Sequence, residues 1–249
     1  RWSTDLGYLD TGRHRMNLTI RPNCLVHRLV FDGKRVVGVE VESGGEKFTV
    51  EGDQITLSAG AIGSPHILLL SGVGPSEQLK SIGIPLVHDL PGVGKNLRDH
   101  PLVYATFRTK KGHELDNFGP RIQMALRFTA EGSDLRNDMQ LLMSSYATER
   151  MNRGGPRGEP LGVRILAILN LAMGVGELTL TTADPTVQPF LDYRYLEDEF
   201  DRRRLREAVR LCVKLGQFEG FSDIIEECIE PTQAELATDE TLDEFLMRE

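Results

Sequence analysis

The sequence predicts a mixed α/β fold of the α+β type, in which strands and helices occupy different stretches of the chain. Residues 17–60 are rich in β-branched residues and carry glycine turns at Asp32-Gly33 and Ser43-Gly-Gly45. Further strand-like runs follow in residues 102–190, and apolar residues recur at helical spacing from Asp198 onward. Because separate runs of strands and helices are typical of antiparallel sheets with flanking helices, we expect that architecture.

The first strands are predicted to form a three-stranded β-meander. The runs Cys24–Phe31, Arg35–Glu42 and Glu46–Val50 are separated by the two glycine turns, which are typical hairpin connections. A fourth strand, Gln54–Leu57, is expected to lead into a turn at Gly60.

That turn is the first candidate functional feature. The stretch Gly60-Ala-Ile-Gly-Ser-Pro65 follows the β-rich run, and we expect a short helix with Ser64 as N-cap and Pro65 at the first helical position. Free N–H groups and the positive end of the helix dipole favour an anion such as a phosphate at this point. A plain tight connection between strand and helix is the structural alternative.

Later segments predict a second layer of strands and helices. The expected strands are Leu102–Arg108, Met139–Tyr146, Val163–Leu171 and Glu177–Thr181. The expected helices are Pro75–Ile82, one opened by Gly119-Pro120, one beginning near Asp198, and Thr241–Glu249. The basic run Arg202–Arg206 lies among acidic residues in a helical pattern, so we interpret it as a solvated helix face.

Composition and charge exclude several classes of protein. Of the 249 residues, 40% are apolar and 27% are charged, as in an ordinary globular protein. The net charge of −8 argues against nucleic-acid binding. The most apolar run, Ile165–Val175, is shorter than the ~20 residues of a membrane span and predicts a buried strand. Three isolated cysteines, without a Cys-x-x-Cys pair, indicate no metal site and a reducing, cytoplasmic location.

Six motifs together resemble the glucose-methanol-choline (GMC) family of FAD-dependent oxidoreductases. They are Asn17-Leu-Thr-Ile20, Gly38-Val-Glu-Val41, Ser58-Ala-Gly-Ala-Ile-Gly-Ser-Pro65, Leu70-Ser-Gly-Val-Gly-Pro75, Leu90-Pro-Gly-Val-Gly94 and Asn96-Leu-Arg-Asp-His-Pro101. Residues 60–74 resemble the second signature of the family. The resemblance is dense over residues 1–101, thinner over 102–175, and returns within 176–195.

The resemblance implies three parts of a larger fold. Residues 1–100 are expected to form an incomplete FAD-binding domain, residues 101–190 an antiparallel substrate-binding domain, and residues 191–249 a helical segment that leads toward the catalytic region. The family's N-terminal Gly-x-Gly-x-x-Gly unit is absent from this sequence. We therefore expect an internal fragment of a longer protein, with no catalytic residue inside the chain and the family's histidine pair beyond Glu249.

The same resemblance assigns seven candidate contacts to the cofactor FAD. Val26 would pair with the adenine edge through its main chain, and residues 58–60 would form the turn against which the dinucleotide lies, because small side chains permit close approach. A third group would lie near the flavin. The seven residues are Val26, Ser58, Ala59, Gly60, Asn96, Asp99 and His100. A core valine and a solvated loop are the structural alternatives.

The activity implied by the resemblance is oxidation of a small-molecule alcohol to a carbonyl. Hydride would pass to flavin N5, and a histidine base outside this chain would take the hydroxyl proton. The sequence leaves open the substrate and the electron acceptor, and therefore the choice between oxidase and dehydrogenase. Two alternatives remain: a flavin-containing lyase of the same family, and a non-catalytic fragment or split subunit.

Overall fold

A computed structural model describes residues 2–113, 121–147 and 162–248 and confirms the mixed α/β class. The chain divides into two compact units. Unit 1 comprises Arg1–Lys95 and Leu178–Phe190, and unit 2 comprises Asn96–Glu177 and Leu191–Glu249. The predicted domain limits at residues 100 and 190 stay a prediction.

Unit 1 contains the predicted β-meander. Its strands β1 (Leu25–Asp32), β2 (Arg35–Ser43) and β3 (Glu46–Glu51) pair antiparallel in the order β1-β2-β3. Glycines with positive φ occupy both hairpins, at Gly33 and at Gly44, because L side chains rarely adopt that conformation. The two glycine turns of the sequence therefore set the register of this sheet.

Two helices follow the meander in unit 1. They are α1 (Gly60–Leu70) and α2 (Ser76–Ser81), and the two-residue strands β4 (Val73–Gly74) and β5 (His88–Asp89) pair in parallel beside them. The buried Ser71 hydroxyl accepts the Leu29 N–H at 2.8 Å, which ties the end of α1 to β1. Helical turns at Asp5–Leu9 and Asp10–Gly12 precede the meander.

Three short strands contain the boundaries between the two units. They are β6 (Lys95–Leu97), β11 (Gly176–Thr179) and β12 (Phe190–Asp192). Within unit 1, the Leu178 N–H donates to the Gly94 carbonyl at 2.6 Å. The returning segment 178–190 is thus bonded to the end of the first part of unit 1.

Unit 2 is built on a five-stranded antiparallel sheet. Its strands are β7 (Leu102–Thr109), β8 (Ile122–Phe128), β9 (Met139–Ala147), β10 (Gly162–Leu169) and β13 (Ile225–Glu230), in the order β13-β7-β10-β9-β8. β7, β9 and β10 confirm predicted strands. β13 was not predicted, and β10 ends at Leu169, before the end of the apolar run.

One helix of unit 2 packs on this sheet, and a second helix packs beside the first. α3 (Glu199–Gly216) begins at its N-cap Asp198, whose carboxylate accepts the Phe200 N–H at 2.8 Å, and α4 (Asp239–Arg248) packs beside it. Apolar residues of both helices and of three strands form one core, in which Phe107 is fully buried. A β-carbon at Gly216 would lie 2.2 Å from the Phe107 ring, so this crossing requires glycine.

Three local predictions are wrong. Gln54–Leu57 is not a strand, because no strand in the described part of the chain pairs with it. Ser64 is not the N-cap of the helix, because the helix begins at Gly60 with Ala59 as its N-cap, and Pro65 lies inside it. The Ser64 hydroxyl accepts the Ala59 N–H from within the helix. The predicted helix was to open at residues 119–120, which lie outside the described ranges. The residues that follow them form the strand β8, because their apolar side chains recur with the period of a strand.

Candidate functional site

The glycine bend of unit 1 is open to solvent. Ser58, Ala59 and Gly60 are all exposed, and a β-carbon built on Gly60 would meet no heavy atom within 4 Å. Gly60 has a φ of +83° and begins α1, so the first N–H groups of this helix lack intrahelical partners. The bend therefore has room for a nucleotide that lies close to the backbone, and this geometry fits the predicted role.

Val26 lies on β1, which is an edge strand of the meander. It is half-buried and pairs with Val41, and the register shifts between Val26 and Arg28. One side of an edge strand lies outside the ladder of its sheet. The position is compatible with the predicted main-chain contact and equally with a packed valine, so the role of Val26 stays a prediction.

The candidate residues of unit 2 lie in the segment that precedes β7. Asn96, Asp99 and His100 are all exposed, and Asn96 has a φ of +60°. Arg98 donates from Nε to Asn96 Oδ1 at 3.1 Å and from Nη1 to the Ala172 carbonyl at 3.0 Å. Side-chain hydrogen bonds thus hold this segment although its side chains face solvent.

The Asp99 carboxylate accepts two hydrogen bonds with its two oxygens. Oδ1 accepts the N–H of His100 at 2.7 Å, and Oδ2 accepts the hydroxyl of Tyr195 at 3.0 Å. The ring of Tyr195 stacks on Tyr193 with a centroid distance of 4.9 Å and an interplanar angle of 6°. Burial, followed by the hydrogen bond to the Asp99 carboxylate, raises the pKa of Tyr195. The hydroxyl is therefore a proton donor throughout the physiological pH range.

Two cavities of unit 2 meet at this segment. One has a volume of 770 Å³ and is lined by polar and apolar side chains, among them Tyr104 and Tyr195. The other has a volume of 290 Å³ and is lined partly by residues 170–173. Asp99 and His100 line both cavities. A small molecule in either cavity would therefore lie beside these two side chains.

A buried ion network holds the loop of the smaller cavity. Arg204 is fully buried and binds two buried carboxylates, Asp138 at 2.8 Å and Asp201. Its Nη2 also donates to the Leu171 carbonyl at 2.9 Å, and Asp201 accepts the N–H groups of residues 173–174. The network thus fixes the backbone that presents the Ala172 carbonyl to Arg98.

The state of Asp138 follows from the same network. Burial by itself would raise the pKa of Asp138, but hydrogen bonds from Ser133, from Arg204 and from the Ala130 N–H outweigh it, and the pKa lies below its usual value. The carboxylate is therefore ionised at neutral pH. Its charge is compensated by the buried guanidinium.

The basic run is not the solvated face that we expected. Arg204 and Arg206 are buried, and Arg206 binds both carboxylate oxygens of Asp243 on α4, at 2.8 and 2.7 Å. Helical spacing places Arg204 on the same side as Ala208, four residues later, and that spacing was the signal in the sequence. Arg204, Tyr195 and Arg98 were not among the candidate residues, because each has a partner at least 66 residues away along the chain. These partners are Asp138, Asp99 and the Ala172 carbonyl.

Two further histidines, His66 and His27, occupy packed positions, whereas His14, His88 and His113 are exposed. Burial lowers the pKa of His66 on α1, so this ring is neutral at pH 7. His27 lies 3.0 Å from Glu42 across the meander. Among the described residues, no group of three or more His, Cys, Asp or Glu side chains is arranged to hold a metal ion. None of the helices in the described ranges has the length and apolar character needed to cross a membrane.

Solved structures share this fold. Pyridoxine 4-oxidase from Mesorbium loti matches the whole chain with a TM-score of 0.86 and 23% identity, over 49% of its own length. An FAD-dependent oxidoreductase from Chaetomium thermophilum matches 96% of the chain with a TM-score of 0.72 and 21% identity, over 51% of its length. The chain therefore has the fold of about half of each of these two proteins.

Two family models, both described as GMC oxidoreductase, match residues 1–102 and 173–249. The chain belongs to the GMC oxidoreductase family, which confirms the resemblance seen in its motifs. Oxygen-dependent choline dehydrogenase 1 of Chromohalobacter salexigens is 32% identical over 267 residues, which cover 99% of this chain and 48% of that protein. Oxygen-dependent choline dehydrogenase of Escherichia coli is 31% identical over 271 residues, with 99% and 48% covered. The chain spans about half the length of the curated relatives that it matches.

Proposed function

We propose that this chain supplies the central part of an FAD-dependent oxidoreductase that oxidises a CH–OH group of a small molecule to a carbonyl. The observation that carries the proposal is the open bend at residues 58–60, in a chain whose family consists of oxidoreductases. A bend that leads from a meander into a helix N-terminus, with no atom above Gly60, suits a dinucleotide that contacts the backbone.

Seven residues would hold the cofactor in this proposal. The backbone of Val26 and of residues 58–60 would bind the nucleotide part, and the polar side chains of Asn96, Asp99 and His100 would face the flavin part. When bound, FAD supplies an acceptor for the hydride of the alcohol carbon. The segment 96–100 would orient the substrate, because Asp99 and His100 line both cavities, while hydrogen bonds of the Arg98 side chain and of the His100 N–H hold the segment.

The proton of the alcohol needs a base whose pKa is near neutrality and which lies within hydrogen-bond reach. His27 is buried against Glu42, and burial lowers the pKa of His66, so neither suits this role, and His100 is assigned above to a contact with the flavin. We assign the base to a histidine of polypeptide outside this chain, as the resemblance implies. The names of the relatives make choline the first alcohol to test and oxygen the first electron acceptor to test.

The test begins with the coding sequence on both sides of this chain. The longer protein, purified without added cofactor, should be yellow, and the flavin absorbance near 450 nm should bleach when an alcohol is added without oxygen. Choline and neutral primary alcohols should be compared, followed by oxygen and a dye as acceptors. A longer protein that never binds flavin contradicts the proposal, and cleavage of a substrate without bleaching would favour the lyase alternative.

A matched pair of variants tests the bend itself. Gly60→Glu places a carboxylate beside the predicted phosphates, whereas Gly83→Glu places one at another open glycine of unit 1 with a similar positive φ, +74°. Backbone strain is therefore similar in the two variants, and only the first should weaken FAD binding, by about tenfold or more. Equal losses in both variants would count against a nucleotide at this bend.

Binding of FAD to residues 1–249 alone tests whether further polypeptide is needed for the cofactor. Because half of the relatives' length is not represented in this chain, we expect weak binding of FAD to residues 1–249 in equilibrium dialysis. Binding at micromolar concentration or below would show that no further polypeptide is needed for the cofactor.

A cytoplasmic location is part of the same proposal. Cys24, Cys212 and Cys228 are all free thiols, as is usual for proteins of a reducing compartment. Fractionation of cells that produce the longer protein would test it, and recovery with the secreted or membrane fraction would contradict it.

A further inference from the structure

We propose that Tyr195 is a positioning residue, which sets the orientation of the His100 segment through the Asp99 carboxylate. This inference rests on the proposed function, because it assumes that His100 faces the flavin or the substrate. The contacts that carry it lie entirely within unit 2.

Asp99 links the tyrosine to the histidine. One carboxylate oxygen accepts the Tyr195 hydroxyl at 3.0 Å, and the other accepts the His100 N–H at 2.7 Å. A rotation of Asp99 that broke the first bond would also move the second, so the direction of the His100 backbone depends on the tyrosine. Hydrogen bonds to an ionised carboxylate are shorter and stronger than bonds between neutral groups.

Tyr195 is itself held rigidly, as an anchor must be. Its two neighbours have positive φ, 50° at Arg194 and 59° at Leu196, a conformation that persists only where the surroundings enforce it. Arg194 binds Glu177 at 2.8 Å and Asp192 at 2.9 Å, and Leu196 is packed in the core. The flat stack on Tyr193 fixes the plane of the Tyr195 ring.

The other side of the segment is anchored independently. Arg98 donates to the Ala172 carbonyl at 3.0 Å, and the buried Arg204 network fixes that loop. The segment is thus gripped on two sides by side chains that reach it from other parts of unit 2. An exposed polar segment held in this way is preorganised for a ligand, because little conformational freedom is left to lose on binding.

Tyr195→Phe tests the inference, with Tyr193→Phe as its matched control. Each substitution removes one hydroxyl and keeps the stacked rings, but the Tyr193 hydroxyl makes no hydrogen bond to another residue of the described ranges. In residues 1–249, amide hydrogen exchange over residues 96–100 should quicken several-fold in Tyr195→Phe and stay within twofold in Tyr193→Phe. Asp99→Ala should reproduce the increase, and the double variant Tyr195→Phe/Asp99→Ala should add little to it.

The longer enzyme supplies the second measurement. In single turnover without oxygen, Tyr195→Phe should slow flavin reduction by alcohol about tenfold, with FAD binding within twofold of the parent, while Tyr193→Phe should leave both unchanged. Equal exchange in the two tyrosine variants would overturn the inference, and so would faster exchange with an unchanged rate of reduction. A parent enzyme without flavin would instead refute the proposed function, and that failure is recognised before any variant is made.

Discussion

Replacement of Arg204 by methionine tests the buried network most directly. The guanidinium is fully buried between Asp138 and Asp201, two carboxylates that are themselves buried. Removal of one partner from a buried ion pair costs about 3–5 kcal/mol, because the remaining charge is left uncompensated. Since Arg204 serves two carboxylates, we expect Arg204→Met to lower the free energy of unfolding by at least about 4 kcal/mol at pH 7. Typical domains have about 5–15 kcal/mol in total.

The loss of stability in Arg204→Met should be larger at pH 7 than at pH 5. In the parent, the lowered pKa of Asp138 contributes stability that is present above the unfolded pKa, near 3.9, and is lost as the pH falls through the folded pKa. Without the guanidinium, burial raises the folded pKa of Asp138, so the variant loses stability as the pH rises. The difference in the free energy of unfolding between parent and variant should therefore decrease by about 1 kcal/mol or more when the pH is lowered from 7 to 5.

Urea unfolding followed by circular dichroism at the two pH values measures both effects. Arg203→Met is the control, since Arg203 lies on the same helix but is exposed and donates to the Glu131 carbonyl at 2.9 Å. It should cost less than about 1 kcal/mol. A loss below about 1 kcal/mol in Arg204→Met, or the same gap at both pH values, would refute the reasoning.

Three further predictions concern stability and reactivity. Ser71→Ala removes the acceptor of the Leu29 N–H and should cost about 1–3 kcal/mol in urea unfolding; a neutral result would mean that water replaces the hydroxyl. Gly94→Ala should lower the free energy of unfolding by more than about 2 kcal/mol in the same measurement. The φ of Gly94 is +81°, and the new β-carbon would lie 2.3 Å from the Leu178 carbonyl oxygen. Stability equal to that of the parent would mean that this backbone can shift freely. Burial raises the pKa of the Cys212 thiol to about 12. Iodoacetamide at pH 8 should therefore modify this thiol only after the chain unfolds, and mass spectrometry can detect the modification. Rapid modification of the folded chain would contradict the burial of Cys212.

Local sequence signals predicted much of the fold. The meander follows from Asp32-Gly33 and Ser43-Gly-Gly45 because hairpin turns are local, and the long helix follows from Asp198 and the apolar spacing after it. β13 escaped prediction because half of its residues Ile225–Glu230 are glutamates, without strict alternation, and because it pairs with β7, more than a hundred residues away. A partner so distant leaves no local signal.

The candidate site was predictable only in part, for the same reason. The bend at Gly60 and the segment Asn96–His100 are contiguous motifs, and the structure shows both exposed as a binding role requires. Arg204 was misread because a charged residue is usually solvated, and only the fold shows that Asp138, 66 residues away along the chain, is its second carboxylate partner. Tyr195 lies in the stretch 176–195, where the resemblance to the family returns, but its bond to Asp99 joins residues that are 96 apart in the chain.

The return of residues 178–190 to unit 1 has a consequence for the way the protein is made. Ribosomes add about 5–20 residues per second, so roughly 5–20 seconds separate the emergence of Lys95 from that of Phe190, the last residue of unit 1. Throughout that interval the nascent meander and its helices lack residues 178–190, while most of the five-stranded sheet is being synthesised. Unit 1 would therefore need molecular chaperones that shield apolar surface, even though most of its residues are synthesised before those of unit 2.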